Sequence, residues 1–123
     1  MQESDLKTVI AAYLEAYDQR ALSTCMDFFA QDATIHFAMG TYRGHQAIEK
    51  WHQDRFAADM RVTRVDEIRM DGDTVIVDVT ATSKVARAWR FDSVAGRVTV
   101  VFRQGKIHEA EFGLRTALPI ERW

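Results

Sequence analysis

The chain has 123 residues, 47% of them hydrophobic, with 16 basic against 18 acidic side chains and a formal charge of −2. That is the length of one domain, spanning residues 1–123, with enough apolar material for a real core and no charge excess to recruit nucleic acid. No run of about 18 apolar residues exists to span a membrane, and the start, MQESDLK, lacks the basic and apolar stretches of a signal peptide.

Ser4 precedes a predicted helix whose apolar residues fall at Leu6, Val9, Ile10, Tyr13, Leu14 and Tyr17, the three-four spacing of one buried stripe. Ser4 can cap its start, but Lys7 three residues on makes no capping box. Asp18-Gln19-Arg20 breaks the helix, and a shorter one follows with Leu22, Cys25, Met26 and Phe29 inward. Cys25 is the only cysteine, so no internal disulfide forms, which fits a reducing cytoplasm; it reads as a small buried apolar residue. Asp32 opens a short strand, Ala33 to Phe37, with Ile35 and Phe37 on one face and Thr34 and His36 on the other.

Gly40 and Gly44 bracket a turn, and a third helix runs from about His45 to Phe56, with Ile48, Trp51, His52, Arg55 and Phe56 near one side. From Val62 the pattern alternates. Val62 to Met70 is a strand, Asp71-Gly72-Asp73 a hairpin turn, and Val75, Val77 and Val79 one face of the next strand. Lys84 to Asp92 fits neither period and reads as a strand extension, a loop or a short helix over an opening. Gly96 turns the chain into a strand with Val98, Val100 and Phe102 on one face. Gln104-Gly105-Lys106 turns it back into a last strand, with His108, Ala110 and Phe112 sharing a face, ending near Arg115. Pro119 marks an irregular tail.

The order is helix, helix, strand, helix, then a meander of three to four antiparallel strands. That segregation means an α+β fold. A curved antiparallel sheet wrapped around three N-terminal helices makes a cone whose inside is a pocket. The 13 aromatics agree with a packed interior or an aromatic-lined cavity.

Three strings carry a family resemblance: Phe28 to Ile35 (FFAQDATI), Tyr42 to Trp51 (YRGHQAIEKW), and Gly105-Lys106-Ile107 before the last strand. With the element order, they resemble the nuclear transport factor 2-like superfamily, which includes ketosteroid isomerases, SnoaL-like polyketide cyclases and limonene epoxide hydrolases. The resemblance covers nearly the whole chain and implies the cone-shaped fold, a hydrophobic pocket and a homodimer. Its dimer interface would be the outer sheet face carrying Asp78, Thr80 and Thr82.

Position by position, the family's carboxylates are missing. The isomerase general-base aspartate falls at Phe37 and its second acid at about Val98. The aspartate of the cyclases and epoxide hydrolases falls near Phe112, with Glu111 turned to the opposite face. The isomerase tyrosine has a counterpart in Tyr13, and a second tyrosine of that hydrogen-bond network corresponds to His52.

The candidate catalytic groups are therefore Tyr13, His52 and His108. An imidazole exchanges protons near neutral pH and a buried phenol can hold a carbonyl oxygen. Tyr17, Ile35, Phe37, Trp51, Val77, Trp89, Val98, Val100 and Phe112 are the expected ligand-binding wall. Arg87 and Arg90 are placed to clamp an anion at the mouth or to remain solvated. No histidines sit at i, i+4 and no phosphate-cradle pattern exists, so neither a metal, a nucleotide nor another cofactor is expected. Two functions remain open. One is an enzyme acting on a hydrophobic small molecule by proton transfer, as an isomerase, cyclase or lyase. The other is a non-catalytic ligand-binding or dimeric interaction module.

Overall fold

A computed structural model describes residues 3–37, 40–91 and 93–114 of the chain. The Ser4 cap, the end of the last strand at Arg115, Asp92 and the tail marked by Pro119 lie outside what is described.

Helix α1 (Glu3–Asp18) buries the expected stripe, Leu6, Ile10, Tyr13, Leu14 and Tyr17. It ends as the chain swings through Arg20, whose φ of 61° is left-handed, and the Ala21 N–H bonds back to the Ala16 carbonyl. That is the 6→1 bond of a Schellman end, usually given to glycine. Arg20 is held there by its own guanidinium, which donates to the Met60 carbonyl (2.8 Å) and to Asp59 (3.2 Å). Helix α2 (Leu22–Asp27) buries Cys25. Helix α3 (His45–Ala57) buries Ile48, Trp51 and His52, and ends in the same way at Asp59, φ 52°, with Met60 N–H bonded to the Arg55 carbonyl. The ambiguous stretch from Lys84 contains a short helix, α4 (Lys84–Ala88), capped by the Ser83 hydroxyl and ending at Arg90, φ 65°.

Six strands form one curved, unclosed sheet in the order β2-β1-β6-β5-β4-β3, where β1 is Phe29–Phe37, β2 Gly40–Arg43, β3 Arg61–Asp71, β4 Thr74–Thr82, β5 Val94–Arg103 and β6 Lys106–Leu114. All neighbours are antiparallel except β1 and β6, which run parallel. The hairpin turns follow their residues. Gly72 alone has positive φ in the β3–β4 loop, while Gln104 and Gly105 both do in the β5–β6 loop, as a type I′ turn requires. Ile35, Phe37, Val77, Val98 and Val100 are buried on the concave face against α1 and α3, and Phe112 packs onto that core. This is the cone expected from the strand periodicity.

Four expectations are corrected. The Gly40–Gly44 turn contains a strand, β2. Gly96 does not turn the chain into β5; it lies inside that strand, paired with Val79. The sheet is mixed rather than antiparallel throughout, because β6 returns beside β1. Finally, β6 has one residue more than β5 between Glu109 and Ile107, a bulge whose extra residue is His108. The bulge leaves Ile107, Ala110 and Phe112 inward and takes His108 off that face. Strand β3 bulges twice, at Thr63 and Asp66, and so bends around the end of α1.

On the convex face Asp78 is buried beneath Arg69 (3.2 Å) and Arg97 (2.8 Å). Thr80 donates to Asp66 at 2.9 Å, and Asp66 also pairs with Arg64. The face is charged rather than apolar.

Candidate functional site

The polar group at the centre of the cone is a pair. Tyr13 of α1 and His52 of α3 meet at 2.8 Å, phenol oxygen to imidazole Nε2. Each follows from its helix: Tyr13 sits on the buried stripe of α1, and His52 sits one turn after Ile48 on the buried side of α3. The other ring nitrogen, Nδ1, lies 2.8 Å from the Ile48 carbonyl oxygen. A carbonyl only accepts, so Nδ1 carries the proton. In the neutral ring Nε2 is then bare, and the Tyr13 O–H donates to it. Burial drives the His52 pKa down to about 4, against a smaller opposing pull from the Ile48 carbonyl. Burial likewise pushes the Tyr13 phenol well above its ordinary value, with Cys25 and Tyr17 adding to the rise. The imidazole is neutral at pH 7 and the phenol keeps its proton.

Aromatic edges enclose the pair. Tyr13 stands edge-on to Phe28 (5.8 Å between centroids) and Phe29 (5.5 Å), and His52 edge-on to Trp51 (4.9 Å). Trp51 in turn packs on Phe112 at 4.7 Å and Phe37 at 5.7 Å. Two of the positions where the family's carboxylates fall, Phe37 and Phe112, are thus aromatic wall, and the third is the aliphatic Val98.

A cavity opens beside the pair. Among the described residues it is lined by Tyr13, Leu14 and Tyr17 from α1, Phe37 from β1, Met60 and Val62 at the start of β3, Val79 and Ala81 from β4, Gly96, Arg97 and Val98 from β5, and Phe112 and Gly113 from β6. Its enclosed free volume is ≈30 Å³; counting the open mouth, the non-atom space is ≈450 Å³. The inner part has room for about one water. The bare backbone of Gly96 and Gly113 keeps that space from being filled by side chains.

Of the expected wall, Tyr17, Phe37, Val98 and Phe112 line the cavity, as does Tyr13. Ile35, Trp51, Val77 and Val100 do not; they are core beneath it, each almost wholly buried. His52 touches the cavity only through Tyr13. Two expectations are corrected by position. His108 does not line the cavity, because the bulge displaces it, and Trp89 is 64% exposed beyond the end of α4. Arg87 does not wait at the mouth for an anion: it donates to Asp59 at 2.8 Å and to Thr82. Arg90 is exposed. His36 faces outward, 3.7 Å from Glu109, and His45 donates to the Phe29 carbonyl at 2.9 Å. Among the described residues no cluster of three or more His, Cys, Asp or Glu forms, so no metal centre is drawn from them.

Sequence reasoning missed the upper wall: Met60, Val62, Val79, Ala81 and the two glycines. Val79 and Ala81 continue the period of Val77, and that continuation was the available signal. It also missed that the Tyr17 hydroxyl, unlike that of Tyr13, is buried with no hydrogen-bond partner among the described residues.

The SnoaL-like domain family matches residues 10–110, which takes in part or all of every helix and strand that builds the cavity and stops just short of Phe112 and Gly113. The chain belongs to the SnoaL-like family. No curated protein matches it. Solved structures share the fold of this SnoaL-like domain. A proposed polyketide cyclase of Sinorhizobium meliloti is 23% identical over 91% of this chain and 99% of that one, with a TM-score of 0.76. A proposed ketosteroid isomerase of Kribbella flavida is 17% identical over 94% and 81%, TM-score 0.77. A de novo designed protein with a curved β-sheet is 18% identical over 93% and 88%, TM-score 0.75. The designed neighbour makes plain that this architecture stands without any one activity, so function has to be argued from the cavity.

Proposed function

We propose that this SnoaL-like domain binds a small, mainly apolar molecule in the cavity beside Tyr13 and Tyr17, and that it does so without proton transfer by a carboxylate. The observation that carries this is the cavity wall itself: hydrocarbon and aromatic rings, open to solvent at one end, with a buried Tyr17 hydroxyl that lacks a partner among the described residues. A buried polar group left unpaired costs about 1–3 kcal/mol, which a ligand oxygen would recover. The ≈30 Å³ interior limits the occupant. A molecule larger than a water must lie partly in the mouth or displace Met60, whose unbranched side chain adapts easily.

A second reading, a cofactor-independent isomerase, cyclase or lyase, is favoured by the Tyr13–His52 hydrogen bond at the cavity wall. Its chemistry is constrained. With the Tyr13 proton already committed to Nε2, Tyr13 offers lone pairs to the cavity rather than a donor. Moving that proton to His52 sets a phenol raised above 10 against an imidazole at about 4. Burial opposes both of the charged forms that this transfer would create. That weighs toward binding.

A melting-shift panel of terpenes, aromatic polyketides and steroids, with mass analysis of every binder, separates the readings. Binders recovered unchanged support the binding module. Binders recovered with an altered mass, or with the same mass and an altered chromatographic retention, support the enzyme. A panel that shifts nothing contradicts both. We further propose a homodimer through the outer sheet face of Asp78, Thr80 and Thr82, and a reducing, cytoplasmic setting for the buried Cys25 thiol. Light scattering that gives a monomer at high micromolar concentration would remove the dimer.

A further inference from the structure

Two phenols reach the cavity, and their hydroxyls are in opposite states. The Tyr13 proton is spent on His52. The Tyr17 hydroxyl is as deeply buried and has no partner within hydrogen-bond reach among the described residues, so its proton is free to be donated.

Two guanidinium groups stand around Tyr17. Arg20 lies over its ring at 5.6 Å and over Phe56 at 5.0 Å, but its hydrogen bonds go to Met60 and Asp59. Arg55, one turn beyond His52 and Trp51 on α3, stacks on Phe37 at 4.4 Å from the ring centroid. Phe37 is itself a cavity wall. Arg55 pairs with no carboxylate among the described residues, and its Nε is buried without a hydrogen-bond partner. Both cations act on the phenol: burial holds the Tyr17 pKa well up, and Arg20 and Arg55 pull against it. The same two cations partly offset the desolvation that any negative charge placed beside that hydroxyl would meet. An apolar cavity with an unspent O–H donor on its wall, backed by two guanidinium charges just behind that wall, has the recognition chemistry of a carboxylate with a hydrocarbon body.

We propose that the cavity's ligand is a small apolar carboxylic acid, bound as the carboxylate with an oxygen accepting from the Tyr17 hydroxyl, in the field of Arg20 and Arg55, and its hydrocarbon part against Met60, Val79 and Val98. The proposal rests on the cavity being a ligand pocket, and it names what that pocket selects. Arg20 and Arg55 contribute field rather than a contact, because neither lines the cavity; any hydrogen bond between Arg20 and the Tyr17 oxygen is donated by the guanidinium and leaves the phenol proton free. No bond is made or broken.

The test uses benzoate and its neutral counterpart benzamide, titrated into the full chain and read from the Met60 methyl resonance, which reports on the cavity rather than on surface arginines. Benzoate is expected to bind at least tenfold more tightly than benzamide. Tyr17→Phe and Arg55→Met are each expected to remove tenfold or more of the benzoate affinity while leaving benzamide unchanged. Tyr17→Phe deletes an unpartnered oxygen and leaves the fold intact, so it decides the matter even where Arg55→Met melts early. Equal binding of the two probes, or benzoate binding indifferent to Tyr17→Phe, overturns the carboxylate inference and leaves the pocket standing. Failure of both probes to move Met60 at millimolar concentration overturns the inference and counts against the pocket as well.

Discussion

Acidification should reveal His52 through stability alone. The folded chain holds this imidazole at a pKa of about 4, whereas the unfolded chain titrates it near 6.5. The sign follows from proton counting. Above 6.5 neither state binds the proton and His52 contributes no pH dependence. Between 6.5 and about 4 the unfolded state takes up a proton that the folded state refuses, so stability falls as pH falls. Going from pH 7 to pH 4.5 should cost about 2 kcal/mol from this residue, and the loss should level off below pH 4 at about 3 kcal/mol. The physical origin is that His52 is fully buried, and both of its nitrogens are engaged, by the Ile48 carbonyl and the Tyr13 hydroxyl. Urea unfolding at the two pH values, for the parent chain and His52→Gln, isolates the term, since carboxylates elsewhere titrate equally in both. The parent should lose about 2 kcal/mol more than the variant. Equal losses would mean that His52 is protonated or solvated in the folded state, and the neutral, donor-committed pair would be wrong.

Tyr13→Phe strands Nε2 of His52 as a buried acceptor without a partner, so it should cost about 1–3 kcal/mol in urea unfolding at pH 7 with an unchanged slope. Arg90 occupies a left-handed position at the end of α4, φ 65°, with its side chain exposed; Arg90→Gly should be neutral or raise stability by up to about 1 kcal/mol in the same assay. Ketosteroid isomerase turnover should be absent, because Phe37 abstracts no proton and Val98 supplies no oxyanion donor. Product formation from a 3-keto-5-ene steroid above the uncatalysed rate would contradict that.

Much of this arrangement was legible before any coordinates, and particular residues explain where legibility stopped. The stripe on α1 and the alternation at Val75, Val77 and Val79 are direct consequences of burying one face, so the helices and inner sheet face could be read from period alone. Tyr13 and His52 are legible as site groups because one lies on a buried stripe, the other follows Trp51, and each falls where the isomerase resemblance places a hydrogen-bonded tyrosine. His108 failed for a reason that no periodicity carries: one extra residue in β6 is invisible to a period-two reading, yet it moves the side chain off the core face. Strand β2, four residues between glycines, is too short for any period to register. The parallel pairing of β1 with β6 joins segments about seventy residues apart, and only tertiary packing decides it. Trp89 reads as pocket wall because a large aromatic is usually buried; its place at the C-cap of the five-residue helix α4 leaves it in solvent.

The claim on which the rest depends is that the space beside Tyr13 and Tyr17 takes up a small molecule. Met60 is the natural reporter, since its side chain is buried at the cavity and is the one most able to move aside. Methyl NMR of the full chain during titration with each melting-shift binder should move Met60, Val79 and Val98 together, saturably and with one affinity, while exposed Val65 and Val85 stay still. Shifts confined to Val65 and Val85, or binders that raise the melting temperature without touching Met60, would place the ligand elsewhere and leave the cavity as packing.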